Sequence, residues 1–188
     1  MTQPAPLQAV LEALTRAAVE ATGATQGWLL AIQDDHLRVV AASGSGAGSL
    51  LDTTVALGSG SAGFVVASGQ PLAMTPRGDD PRFAEDLFVL LGNRPSSVLC
   101  VPCEDDDSTV GALELVDKVG GGAFSFDDVE LATLLATIAG VAIAQGDWDG
   151  ARPPSPEALA GELQRLASAD PIRYAIVASV VNALLLRG

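Results

Sequence analysis

Two cysteines, Cys100 and Cys103, stand in the chain as Cys-Val-Pro-Cys. A pair at this spacing supports thiol–disulfide chemistry when it opens a helix, where a thiol pKa is lowered. Here it sits inside Ser97–Cys103, an apolar run that reads as a strand. Positions i and i+3 of a strand point to opposite faces, a poor geometry for a bridge. Two thiols with the single histidine, His36, fall short of a zinc ligand set, so no metal is expected. Buried thiols in a cytoplasmic protein are the reading that remains. The four adjacent acids Glu104–Asp107 lack the alternating ligands and distal Glu of a calcium loop and read as a solvated hairpin tip. No Ser or Cys is placed to form a triad with His36, and no Gly-rich loop has the Lys-Ser/Thr context of a phosphate cradle. Catalysis is not expected.

Lys118 is the one lysine in the chain. It ends a strand, and Asp127 and Asp128 open the helix that follows. An acid in a first helical turn is favourable, and a nearby ammonium pairs with it. A salt bridge from Lys118 to Asp127 or Asp128 would close the Val119–Phe126 loop.

These residues are positioned by locally paired strands and by helices at both ends of the domain. Leu7, Val10, Leu11, Leu14, Ala18 and Val19 recur at helical spacing over Pro6–Thr22, with Gly23 as C-cap. Gln26–Gln33 and His36–Ala42 form a hairpin about Asp34-Asp35, and Asp52–Leu57 is a third strand. Ala62–Ala67 is a short helix, Pro71–Met74 an edge strand, Thr75–Pro81 a polar loop and Arg82–Leu91 a helix. Ser97–Cys103 and Thr109–Asp117 form a second hairpin. In the helix Asp127–Ala144, Leu131, Leu134, Leu135, Ile138, Val141 and Ala142 make an apolar stripe. Locally paired strands with helices at both ends predict an α+β fold on an antiparallel sheet. Residues 146–154 are a linker by composition. Residues 155–188 read as a helical hairpin, its helices starting at Ser155-Pro156 and Asp170-Pro171. The second of these helices, through Tyr174–Leu186, is apolar around most of its circumference and must be buried against the body of the chain or another subunit.

The whole chain has 188 residues, 48% of them hydrophobic, and a net charge of −13. That charge supplies no basic stripe for nucleic acid and disfavours anionic membrane surfaces. No tract near the C-terminus approaches the ~20 apolar residues that span a bilayer.

Residues 1–145 resemble a GAF domain. The resemblance rests on Pro95-Ser-Ser-Val-Leu-Cys-Val-Pro-Cys103, Val110-Gly-Ala-Leu-Glu-Leu-Val-Asp-Lys118, Gly120-Gly-Gly-Ala-Phe-Ser-Phe-Asp-Asp128 and, upstream, Gly58–Gln70 and Asp80-Pro-Arg-Phe83. It implies a six-stranded antiparallel sheet with the terminal helices on one face and a small-molecule pocket under short helices on the other. In pattern the chain is closest to the regulatory GAF domains of cyclic-nucleotide phosphodiesterases. Their Asn-Lys…Phe…Asp-Glu motif is matched by Asp117, Lys118, Phe124, Asp127 and Asp128, with Asp117 in place of Asn and Asp128 in place of Glu.

The resemblance implies a non-catalytic sensor that binds a small molecule, a cyclic nucleotide among the candidates, and signals through a partner chain or dimer. Homodimerisation would use the terminal helices or the C-terminal hairpin, and a separate effector protein would receive the signal. Trp28, Met74, Phe83, Leu87, Ser97, Leu99 and Val101 are the expected pocket residues. The alternatives are a ligand-free assembly scaffold and a redox enzyme of the free methionine sulfoxide reductase type. The adjacency of Cys100 and Cys103 does not match the spread cysteines of such an enzyme.

Overall fold

Apolar residues at helical spacing and a left-handed Gly23 (φ 68°) delimit helix α1, Pro6–Thr22. Its inner side buries Leu11 and Ala18. Thr15 and Thr22 are buried too, their hydroxyls donating to the carbonyls of Leu11 and Ala18 at 2.7 Å. This computed structural model describes residues 6–76, 87, 94–146, 156–169, 171, 174–175 and 177–178. The elements after α1 are β1 (Ala24–Gln33), β2 (His36–Gly44), a 3₁₀ turn (Ala47–Leu50), β3 (Thr54–Ala56), α2 (Gly60–Ser68) and β4 (Leu72–Met74). Then come β5 (Val98–Asp105), β6 (Ser108–Lys118), α3 (Phe126–Gln145) and α4 (Pro156–Ala169).

The strands form one six-stranded antiparallel sheet in the order β3-β2-β1-β6-β5-β4. The two local hairpins are therefore joined through β1 and β6, and the edge strands β3 and β4 are only three residues long. Short edges limit pairing with other chains. Both faces are covered. Leu29, Leu99, Val101, Leu113 and Leu115 pack against α1 and α3, while Trp28, Leu30, Val98, Cys100 and Val116 pack with α2 residues Ala62 and Val65. The run Val98–Cys103 is buried throughout because alternate side chains enter two different cores.

Two sequence expectations change. Glu104 and Asp105 continue the ladder, opposite Thr109 and Ser108, so the acidic tip is the two-residue turn Asp106-Asp107. In α3 the fully buried residues turned to the sheet are Ala132, Ala136, Ala139, Gly140 and Ile143, and of the expected stripe Leu135 and Ala142 pack partly buried beside them. Small residues let the helix lie close: a Cβ at Gly140 would come within 2.1 Å of the Glu104 carbonyl oxygen. Leu134, Ile138 and Val141 consequently project outward and are exposed. Of the helix expected over Arg82–Leu91, only Leu87 belongs to the described residues, where it is helical and buried.

The chain divides into two compact units, Met1–Trp148 and Asp149–Gly188. The second unit contains α4, and most of the helix expected after Asp170 lies outside the described residues. No described helix is long and apolar enough to cross a membrane.

Candidate functional site

Three strands bring Trp28, Glu114 and Cys100 side by side: Trp28 of β1 and Cys100 of β5 each stand opposite Glu114 of β6. Glu114 is completely buried, although it is a carboxyl group in the middle of a sheet. Such a group is tolerated only with hydrogen-bond donors around it. Trp28 Nε1–H donates to Glu114 Oε2 at 2.8 Å, and the hydroxyl of Ser61, from the first turn of α2, donates to Oε1. The pair of donors ties sheet and covering helix to one carboxylate.

The expected pocket residues divide. Trp28 and Leu87 are buried on the α2 side, and Met74 packs partly buried against the same cluster. Leu99 and Val101 lie on the other face, against α1 and α3, because each is one residue out of step with Val98 and Cys100. The sheet separates them from Trp28. Ser97 is buried but closes the strand end: its hydroxyl accepts from Lys118 N at 2.9 Å, and its carbonyl from Asp117 N at 2.9 Å. Phe83 lies outside the described residues. Glu114 and Ser61 were not anticipated as site residues. A lone acid in the run Gly111–Val116 was the available signal for Glu114.

A second constellation surrounds Lys118. Its ammonium is ion-paired with Asp128 and sits 5.6 Å from the centre of the buried Phe124 ring, within cation–π range. Asp128 also forms a capping box with Ser125: its Oδ2 accepts from Ser125 N at 2.6 Å and from Ser125 Oγ at 2.8 Å, while Ser125 Oγ receives Asp128 N–H at 3.3 Å. Burial opposes ionisation of Asp128, but the bonds from Lys118 and Ser125 outweigh it and hold the carboxyl below its ordinary pKa. Asp127 is exposed. Asp117 takes a left-handed conformation (φ 55°), and its Oδ1 accepts from Ser96 N at 2.6 Å and Ser96 Oγ at 2.8 Å. These residues fasten the ends of β5, β6 and α3 to one another.

Neither Cys100 nor Cys103 is in a disulfide, and both are buried, in opposite cores. Burial, followed by the nearby Glu104, raises the Cys103 thiol pKa well above its usual value. Among the described residues no His/Cys/Asp/Glu group has the makings of a metal site.

The order of elements, the sheet and the two faces coincide with a known family, whose model matches residues 6–143 as a GAF domain. The chain belongs to the GAF domain family. This is a family of regulatory and sensor domains. A curated relative, the dual 3',5'-cyclic-AMP and -GMP phosphodiesterase 11 of Drosophila melanogaster, is 30% identical over 93 residues, 49% of this chain and 6% of that protein. Among solved structures, the GAF domain of a phosphoenolpyruvate-protein phosphotransferase from Coxiella burnetii superposes with a TM-score of 0.66 at 20% identity, covering 78% of this chain and 88% of that one. The type II free methionine-R-sulfoxide reductase of Thermoplasma acidophilum gives 0.57 at 16% identity, covering 73% and 94%. At such identities the structural likeness speaks for the fold.

A further feature of this GAF domain lies on the opposite side of the sheet. Leu7 and Val10 of α1 and Ile138, Val141 and Ala142 of α3 line an apolar groove of about 500 Å³, with Thr137 and Gln145 as its polar members.

Proposed function

We propose that the chain is a non-catalytic GAF module that takes a small molecule between the sheet and α2 and passes the resulting change to a partner chain. The observation that carries this reading is the buried Glu114 with its Trp28 and Ser61 donors on the covered face. A purely structural core has no need of a carboxylate there, because an apolar residue would be less costly to bury. Cyclic AMP and cyclic GMP belong among the ligands to try, given the resemblance to a phosphodiesterase. Thermal shift of the full chain against cyclic nucleotides and a metabolite panel is the test, since a ligand that binds only the folded state raises its stability. A panel without a shift would favour the scaffold reading, in which Trp28 and its neighbours simply fill the face.

The two thiols support the non-catalytic assignment against a reductase. They lie in separate cores, and the raised pKa of Cys103 keeps it from being a thiolate near neutral pH. Two thiols outside any disulfide suit a cytoplasmic setting.

The partner in this reading is a second copy, docked through α1 and α3. Each copy carries −13, so an interface between copies has to fall where acids are absent. The groove lining is uncharged, and the exposed Leu134, Ile138 and Val141 recur at i, i+4 and i+7, the spacing of a helix–helix seam. A two-fold axis would set this stripe against itself.

A further inference from the structure

Strand β2 carries an irregularity that serves both faces of the sheet. Against β1, Ala41 stands opposite Leu29 and Val39 opposite Leu30, so Val40 is one residue too many and bulges. Leu37 and Val39 enter the α2-side core with Ala47 and Leu50 of the 3₁₀ turn. The consecutive Val40 and Ala41 both enter the core under α1 and α3. Val39 is also tied by its backbone to the segment after the 3₁₀ turn. Its N–H donates to the Thr53 carbonyl at 2.9 Å, and its carbonyl accepts from Asp52 N at 3.0 Å. Val40 has no opposite number in β1, and its carbonyl accepts from Gln8 Nε2 of α1 at 2.8 Å. The same amide nitrogen donates to Glu12 Oε1, one turn along α1, at 3.2 Å.

Gln8 stands between Leu7 and Val10, which line the apolar groove on α1 and α3. The first turn of α1 has no acidic residue to favour it electrostatically, so a side-chain bond to the sheet counts for more there. We propose that Gln8 and the Val40 bulge form the joint through which the α2 side of the sheet controls α1. This rests on the reading that a small molecule binds on that side and that two copies dock through α1 and α3. A ligand that displaces Val39 carries the Val40 backbone with it, because a planar peptide unit joins the two residues. The bond to Gln8 is then stretched, the first turns of α1 loosen, and Leu7 and Val10 lose their fixed place in the groove. Register is already broken at the bulge, so one residue can shift there without the whole strand slipping. Ligand binding in this scheme weakens the docking of the second copy.

Hydrogen exchange read by mass spectrometry on the full chain tests the joint without a ligand. Gln8→Leu keeps a helix-forming side chain but removes the donor. It should speed exchange of the amides of residues 10–14 about three- to tenfold, the loss of one neutral hydrogen bond. The amides of residues 18–22 and of α3 should be unchanged. Val39→Ala acts from the other face of the sheet and should speed the same first-half amides of α1 about threefold. In the Gln8→Leu background it should add nothing, because the joint is already open. If Val39→Ala does not fold, Leu50→Val, a smaller trim in the same core, makes the same comparison. Unchanged exchange in Gln8→Leu, no response to Val39→Ala, or an equal response to it in both backgrounds would overturn the proposal. The full pattern in a chain that stays monomeric, or that no ligand stabilises, would support the joint and count against the proposed sensor function alone.

Discussion

The ammonium of Lys118 reaches Asp128 across the loop between β6 and α3, so the single lysine of the chain joins the end of the central hairpin to the start of the long helix. The side chains keep 26% and 11% of their exposure, between a surface pair and a buried one. Lys118→Met should therefore destabilise the domain by about 1–2 kcal/mol, more than an exposed ion pair and less than a fully buried one. Urea unfolding measures this. Lys118→Arg should recover most of the loss, because the charge returns to the same place.

The pH dependence follows from Asp128. Its pKa is lower in the folded than in the unfolded chain, so its contribution is present above the unfolded value of about 3.9 and is lost as pH falls through the lower folded one. Asp128→Asn should accordingly lower the urea midpoint by a constant amount above about pH 5, with the gap to the wild type closing toward about pH 2. A gap independent of pH would mean that the ionised carboxylate is not what stabilises the cap.

Gly140 makes a purely steric prediction. A methyl group there would collide with backbone at Glu104, which has no rotamer by which to escape. Gly140→Ala should cost about 2–3 kcal/mol despite the higher helix propensity of alanine, which is worth about 1 kcal/mol in the other direction. Calorimetry should show the melting temperature falling by about 8–12 °C.

Ile138→Asp probes the outer side of the same helix. The side chain is half exposed, so the folded monomer should tolerate the change within about 0.5 kcal/mol. Sedimentation should nevertheless show a dimer converted to monomer. An unchanged dimer would move the interface to the C-terminal unit, and a wild-type monomer would remove the second copy from the proposed function.

The legible parts of this fold were those with a period. α1 begins and ends at the residues its spacing and Gly23 indicate, and both hairpins lie where alternating apolar runs flank acidic turns. The choice between Asp127 and Asp128 was also written in the sequence: Ser125-x-x-Asp128 is a capping spacing, and the capping residue is the one that holds Lys118. The site was harder to read. Val98–Cys103 is apolar at every position, so the alternation that assigns Leu99 and Val101 to one face had no polar residues to mark it. The stripe on α3 misled in part, since Leu135 and Ala142 pack against the core while Leu134, Ile138 and Val141 face outward and alanines make the closest approach to the sheet. Glu114 required the partner strand: nothing within β6 tells that Trp28 stands beside it.

The placement of Cys100 and Cys103 on opposite sides of β5 also gives the domain an internal clock. No disulfide can staple them while the strand keeps its pleat, and each thiol is shielded by a different layer of helices. A thiol reagent reaches Cys103 by lifting α1 and α3, and Cys100 from the α2 side. The relative rates at which the two are labelled would therefore report which layer of the protein opens first.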